Sequence, residues 1–159
     1  MIAIDTNVLL RYLIQDDKVQ AEKAKRLITG SQKVLITDVV LTETIWVLTG
    51  KRYQLPKDKI VDVIHALFAE QNIQFEDSQA VWCALKDYVN APPIKVKGKT
   101  KQADFPDALI INKAKRYGQI NNIEVGPIYT FDKAAQEICL LYTSPSPRDM
   151  RRSRMPSSA

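Results

Sequence analysis

A single α/β domain, with a doubly wound and mostly parallel sheet flanked by helices, is the fold class this sequence predicts. Three observations point to it. Short apolar runs, at Ile2 to Ile4, Val34 to Ile36, Ile73 to Phe75 and Ile128 to Phe131, alternate with longer stretches in which apolar residues recur every three or four positions. The 159 residues are one domain's length. Hydrophobic residues make up 45% and charged residues 26%, a balance that can bury a core and excludes a wholly disordered chain.

The elements follow in order. After the first strand, Asp5-Thr6-Asn7 is rich in cap residues and opens a helix over Val8 to Ile14. Asp16 or Asp17 caps a charged helix that ends near Gly30, with Ala21, Ala24, Leu27 and Ile28 as its inner stripe. Thr37 or Asp38, after the second strand, caps a strongly apolar helix to about Lys51. Pro56 suits the first turn of the next helix, whose Ile60, Ile64, Leu67 and Phe68 share a face. Asp77 or Ser78, after the third strand, caps a helix through Val89. Ala91 to Gln102 reads as a loop, and a helix then opens at Asp104 to Asp107 and closes at Gly118. Ile128 to Phe131 is a final strand, and Asp132 begins a last helix. Trp46 and Trp82 are expected in the core, and His65 as an ordinary helix residue.

Composition narrows the chemistry. With His65 the single histidine, a zinc site built on several histidines is excluded, as are mechanisms that need a histidine pair. Two cysteines, Cys83 and Cys139, cannot build a CxxC site or a disulfide scaffold. No apolar run is long enough to span a membrane, and no basic segment precedes an apolar one at the start, so a cytoplasmic protein is expected.

From Leu141 onward the composition turns to proline, serine and arginine without apolar periodicity. The string at residues 139 to 149, Cys-Leu-Leu-Tyr-Thr-Ser-Pro-Ser-Pro-Arg-Asp, resembles an in-frame translation of a sequencing-library adapter. The expected organisation is therefore a single folded domain over residues 1–138 and a non-native, disordered tail over 139–159. The tail holds Arg148, Arg151, Arg152 and Arg154 against Asp149, so setting it aside lowers the formal charge from +5 to +2. Overall basicity is then no argument for nucleic-acid binding.

Carboxylates carry the functional signal. In parallel sheets, chemistry gathers at the carboxyl ends of the strands, where Asp5 and Asp132 stand. Each is also a natural helix cap, and a cap residue can face the crevice at the same time. Glu43 has Val39, Val40, Trp46 and Val47 as same-face neighbours, so it is expected to be partly desolvated among apolar side chains. Asp104 and Asp107 head a stripe that continues through Ile110, Ile111 and Ala114, away from the Asn112, Lys113 and Arg116 side. Two carboxylates about 4 Å apart repel by roughly 4 kcal/mol at an effective dielectric of 20. Were Asp5, Glu43, Asp107 and Asp132 to converge, a cation would be needed, and an oxygen-only donor set selects Mg²⁺ or Mn²⁺. Such an ion suits phosphodiester hydrolysis.

Four segments, in order, carry a resemblance: Ile-Ala-Ile-Asp-Thr-Asn-Val-Leu-Leu at 2 to 10, Thr-Glu-Thr at 42 to 44, Ala-Asp-Phe-Pro-Asp-Ala-Leu-Ile at 103 to 110, and Tyr-Thr-Phe-Asp at 129 to 132. In these the chain resembles the PIN-domain ribonucleases and, among them, the VapC toxins of type II toxin–antitoxin pairs. The resemblance implies a PIN-like sheet and a metal-dependent endoribonuclease that leaves a 5′-phosphate and a 3′-hydroxyl. It implies that Asp5, Glu43, Asp107 and Asp132 are the catalytic metal ligands, that Asp104 assists, and that Thr6, Asn7 and Thr130 orient the acids. A homodimer, an RNA substrate and a cognate antitoxin are also implied. Phosphates approaching such acids need cations, and Arg11, Lys97 and Lys99 are the expected substrate contacts.

Competing readings are a housekeeping PIN-domain RNA-processing nuclease and a catalytically silent PIN-fold binding module. An aspartyl phosphotransferase would also place an aspartate after a first strand. Its Asp-x-Asp signature is missing, because residue 7 is Asn.

Overall fold

Residues 1–140 are described by the computed structural model. The first strand, β1 (Ile2–Ala3), leads into α1 (Thr6–Ile14) and α2 (Lys18–Ile28); β2 (Val34–Ile36) leads into α3 (Asp38–Thr49) and α4 (Lys57–Ala69). Then come β3 (Ile73–Phe75), α5 (Ser78–Asn90), the strands β4 (Ile94–Val96) and β5 (Lys99–Lys101), α6 (Phe105–Asn121) and α7 (Lys133–Leu140). The expected α/β class is what forms: β1, β2 and β3 pair in parallel in that order, with Ile2 opposite Val34 and Val34 opposite Ile73. Strands this short and this apolar are buried by the helices that connect them. Val34 and Ile36 are fully enclosed, and α1 packs on α2 and α3 while α5 packs on α6.

The caps work as the sequence anticipates. Asp5 accepts from the Val8 amide at 2.9 Å, Asp17 from Gln20 at 3.0 Å, Thr37 from Val40 at 3.4 Å and Asp77 from Ala80 at 3.0 Å. Each satisfies an amide that the first helical turn leaves without a partner. Between α5 and α6, the buried Asn112 donates to Asp87 at 2.7 Å and to its own helix at the Ala108 carbonyl. Asn112 therefore lies on the inner side of α6, not on the polar side expected for it.

Other expectations are corrected. Residues 91–102 do not form a plain loop: β4 and β5 pair antiparallel, with Ile94 opposite Lys101 and Val96 opposite Lys99. The turn between them has Lys97 at φ 49° and Gly98 at φ 76°, and two left-handed residues in succession match the right-handed twist of a tight hairpin. Gly118 does not close α6, which runs to Asn121 and is capped by left-handed Asn122. The glycine instead lets the chain fold back over the helix, since a Cβ there would lie 2.7 Å from the Ile123 carbonyl oxygen and from Val125. Residues 128–131 form no strand among those described. Within them Thr130 is held locally: its carbonyl accepts from the Gln136 side chain and its Oγ1 accepts from the Asp132 amide.

Trp46 and Trp82, expected in the core, stand 70% and 42% exposed. Trp82 meets Phe68 edge-on and also His65, which lies at the surface. The boundary expected at Ile138 falls inside α7, whose Ala134, Ala135 and Ile138 are buried. Residues 141–159 of the expected tail lie outside the described residues.

Candidate active site

Asp5 enters the site as a consequence of its cap. Helix α1 starts directly after β1, so the capping carboxylate sits at the strand's carboxyl end, and its Oδ1 holds the Val8 amide. Thr6 is buried, and its hydroxyl donates to Glu43 Oε2 at 2.5 Å across 37 residues of sequence. That bond fixes the Glu43 carboxylate against α1. Asp5, Thr6, Asn7 and Glu43 are among the residues that line a cavity of about 300 Å³.

Glu43 itself is exposed, which corrects the expectation of a desolvated glutamate. The buried stripe of α3 is Leu41, Thr44, Ile45 and Leu48, which lies on nearly the opposite side of the helix from Glu43. What surrounds Glu43 is apolar but open to solvent: Val39 is 74% and Trp46 70% exposed. These side chains and Ile110 of α6 border an adjoining groove of about 780 Å³ that Glu43 also lines.

A second set of acids gathers where α6 and α7 begin. Asp104 and Asp107 form a reciprocal capping box: the Asp107 amide donates to Asp104 Oδ1 at 2.9 Å, and the Asp104 amide to Asp107 Oδ2 at 3.3 Å. Asp132 caps α7 by accepting from the Ala134 and Ala135 amides at 2.7 and 3.1 Å, and Thr130 Oγ1 braces the Asp132 amide. Burial pushes the Asp107 carboxyl up to about 6, helped by the negative charges of Asp104 and Asp132. A cation arriving beside Asp107 would relieve that cost.

The structure thus brings Asp5 and Glu43 to one cavity, and Asp104 and Asp132 within electrostatic reach of Asp107. It does not close the five into a cage: among the described residues, no three acids, cysteines or histidines stand close enough to share an ion. The donor set is nonetheless carboxylate and hydroxyl oxygen, which a hard cation prefers. Mg²⁺ in particular is held by one or two carboxylates with water completing its shell.

Of the cations, Arg11 lines the cavity, with its guanidinium bonded to Asp16 and, at 2.8 Å, to Gln20. Asp16 and Arg11 reinforce each other, the carboxyl being held below its ordinary range by the guanidinium. Lys97 and Lys99 belong to the β4–β5 hairpin and are exposed; neither lines the cavity. Two residues that no sequence signal marked complete the wall, Arg52 and Tyr53 in the turn after α3.

A further network escaped the sequence reading. Lys113 Nζ lies 2.8 Å from Asp38 and 3.4 Å from Asp77, and Arg116 lies 3.6 Å from Asp77. It ties α6 to the carboxyl ends of β2 and β3. Burial pushes the Asp38 carboxyl up against the opposing pull of Lys113. Lysine at 113 and arginine at 116, one helical turn apart, were its only trace in the sequence.

The family described as PIN domain matches residues 2–141, and the chain belongs to it. Proteins with this domain are generally nucleases, usually dependent on divalent metals and acting on RNA. No curated protein and no solved structure matches the chain. No described helix is long and apolar enough to cross a membrane.

Proposed function

We propose that this PIN-domain chain is a Mg²⁺-dependent endoribonuclease and the toxin of a toxin–antitoxin pair, with Mn²⁺ able to replace Mg²⁺. The observation that carries the reading is the Thr6–Glu43 bond, which brings a glutamate from α3 to the aspartate at the end of β1. A helix cap explains Asp5 alone. It gives no reason for an exposed glutamate to be fastened beside it by a buried threonine.

Asp5 and Glu43 would hold the ion from one side and Asp107, assisted by Asp104 and Asp132, from the other. A divalent cation so placed supplies charge compensation to phosphate oxygens and lowers the pKa of water for attack on phosphorus. The chain's own contribution is positional. Thr6 fixes Glu43, the Val8 amide fixes one oxygen of Asp5, and the amides of α7 fix one oxygen of Asp132.

A protein partner is supported by the open apolar face beside Glu43, where Val39, Trp46 and Ile110 are 74%, 70% and 64% exposed. Large exposed apolar side chains grouped along a groove mark interaction surfaces. A cognate antitoxin and a second copy of the chain are the partners proposed for it, and the cytoplasm the place of action.

The test incubates the protein, free of any antitoxin, with total bacterial RNA in Mg²⁺ or in EDTA. Discrete fragments with 5′-phosphates, made only with the metal, support the reading. Intact RNA in the presence of folded, metal-binding protein would favour the silent binding module instead.

A further inference from the structure

We propose that Arg11, Arg52 and Tyr53 form a nucleotide subsite at the rim of the acid-lined cavity, which takes the phosphate and base next to the bond being cut. The substrate would then be a single-stranded stretch of RNA. This rests on the nuclease reading above.

The turn that presents two of these residues is firmly built. After α3 ends, the amides of Tyr53 and Gln54 donate to the Gly50 carbonyl at 3.3 and 2.9 Å, and the Leu55 amide donates back to Leu48 at 2.9 Å. Arg52 and Tyr53 then reach across 36 and 37 residues of sequence to Asp16, at the junction of α1 and α2. Asp16 Oδ2 accepts from Arg52 Nη2 at 3.3 Å and from the Tyr53 hydroxyl at 3.4 Å, while its Oδ1 takes Arg11. One carboxylate therefore gathers two guanidinium groups and a phenol from two distant segments, and all three residues line the same cavity as Asp5 and Glu43.

This arrangement has capacity to spare. Each guanidinium carries five N–H donors. Asp16 and Gln20 engage two on Arg11, and Asp16 engages one on Arg52. Asp17 also acts on Arg11, so what the two arginines offer a phosphate is their unused N–H donors rather than a net charge. Attraction to the α3 dipole would explain a cation at this end of the helix, but not the convergence on Asp16. The Arg52 guanidinium also lies 5.1 Å from the Tyr53 ring centre. An aromatic face next to an arginine plane is the chemistry that stacks an unpaired base. Bases in a duplex have no open face to offer it.

The test is binding without cleavage: the full chain in EDTA, titrated against a short labelled oligoribonucleotide and its duplex, by fluorescence anisotropy over a salt series. Arg52→Ala is expected to weaken single-strand binding and to flatten the salt dependence by about 0.7 in log–log slope, the loss of one phosphate contact. Tyr53→Ala should cost about tenfold, with Tyr53→Phe close to the parent because the ring is kept. Unchanged affinity and slope in both alanine variants would overturn the proposal, as would duplex bound as tightly as single strand or no binding by the parent. Because this titration contains no metal, a failure of the nuclease reading would appear separately, in the Mg²⁺ incubation described above, as RNA that the chain binds and does not cut.

Discussion

Thr6 is a small residue with two duties. It begins α1, where its burial helps seal the end of β1, and its hydroxyl carries Glu43. A hydrogen bond to a charged group contributes about 1.5–3 kcal/mol. If that energy is spent on placing the carboxylate, Thr6→Val, which keeps the shape, should lower the single-turnover cleavage rate about tenfold or more. The melting temperature should change little, and an unaltered rate would show that Glu43 needs no such anchor. Asp107 makes a pH prediction. Its carboxyl titrates near 6 in the folded protein, above the ordinary 3.8, chiefly through burial and then through Asp104 and Asp132. The folded state therefore binds more protons than the unfolded one between these values. Stability falls as pH rises from about 4 to 6, and solvent screening at a half-buried group holds the loss to about 1 kcal/mol. Denaturant melts should show this decline, and Asp107→Asn should flatten it; stability that rises over the same interval would contradict the assignment. Asp5 and Asp107 were legible in the sequence because strand ends and helix starts can be read locally. Arg52 and Tyr53 were not, because only the meeting with Asp16, far away in sequence, brings them to the cavity.

Elements were legible where periodicity and caps agree. The starts of α1 to α6 fall at or within two residues of their cap signals, and the parallel strands lie where short apolar runs stand. The misreadings share a cause: each depends on what the segment packs against. Residues 94–101 alternate lysine with apolar or polar residues, a pattern that fits a solvated loop as well as an exposed hairpin. Helix α3 carries apolar residues on several faces, so its sequence alone does not say which stripe is buried, and Glu43 stands exposed among apolar neighbours. Gly118 looked like a terminator because glycine commonly follows a helix. Its use is a close approach instead, and that can be measured. Gly118→Ala would gain about 1 kcal/mol of helix propensity. The added methyl would meet the Ile123 carbonyl and Val125 at 2.7 Å, a clash with backbone that costs about 1–3 kcal/mol. The clash is expected to win, so urea unfolding should show net destabilisation of about 1 kcal/mol. A more stable variant would mean that residues 122–125 yield freely.

At the scale of the whole molecule, the parallel sheet explains why the acids stand at one end. Each connection from strand to helix begins at a carboxyl end, and each such helix wants an acidic or hydroxyl cap. The fold thereby collects Asp5, Thr37 and Asp77 for structural reasons, and Lys113 and Arg116 balance the acids after β2 and β3. No comparable cation is bonded to Glu43, Asp104, Asp107 or Asp132 among the described hydrogen bonds and ion pairs. Acids bonded to cations on one side, and acids without such a partner on the other, are the reason the metal site is proposed at the second set. The most direct test compares Asp5→Asn with the parent chain in Mg²⁺, following RNA cleavage under single-turnover conditions beside a thermal melt of each. The substitution keeps a capping oxygen for the Val8 amide, so the fold and its melting temperature should be nearly unchanged. Cleavage should fall by about a hundredfold or more, the scale expected when a metal ligand is lost. Equal cleavage by the two proteins, with the same dependence on Mg²⁺, would contradict the assignment of Asp5 and with it the account of the site.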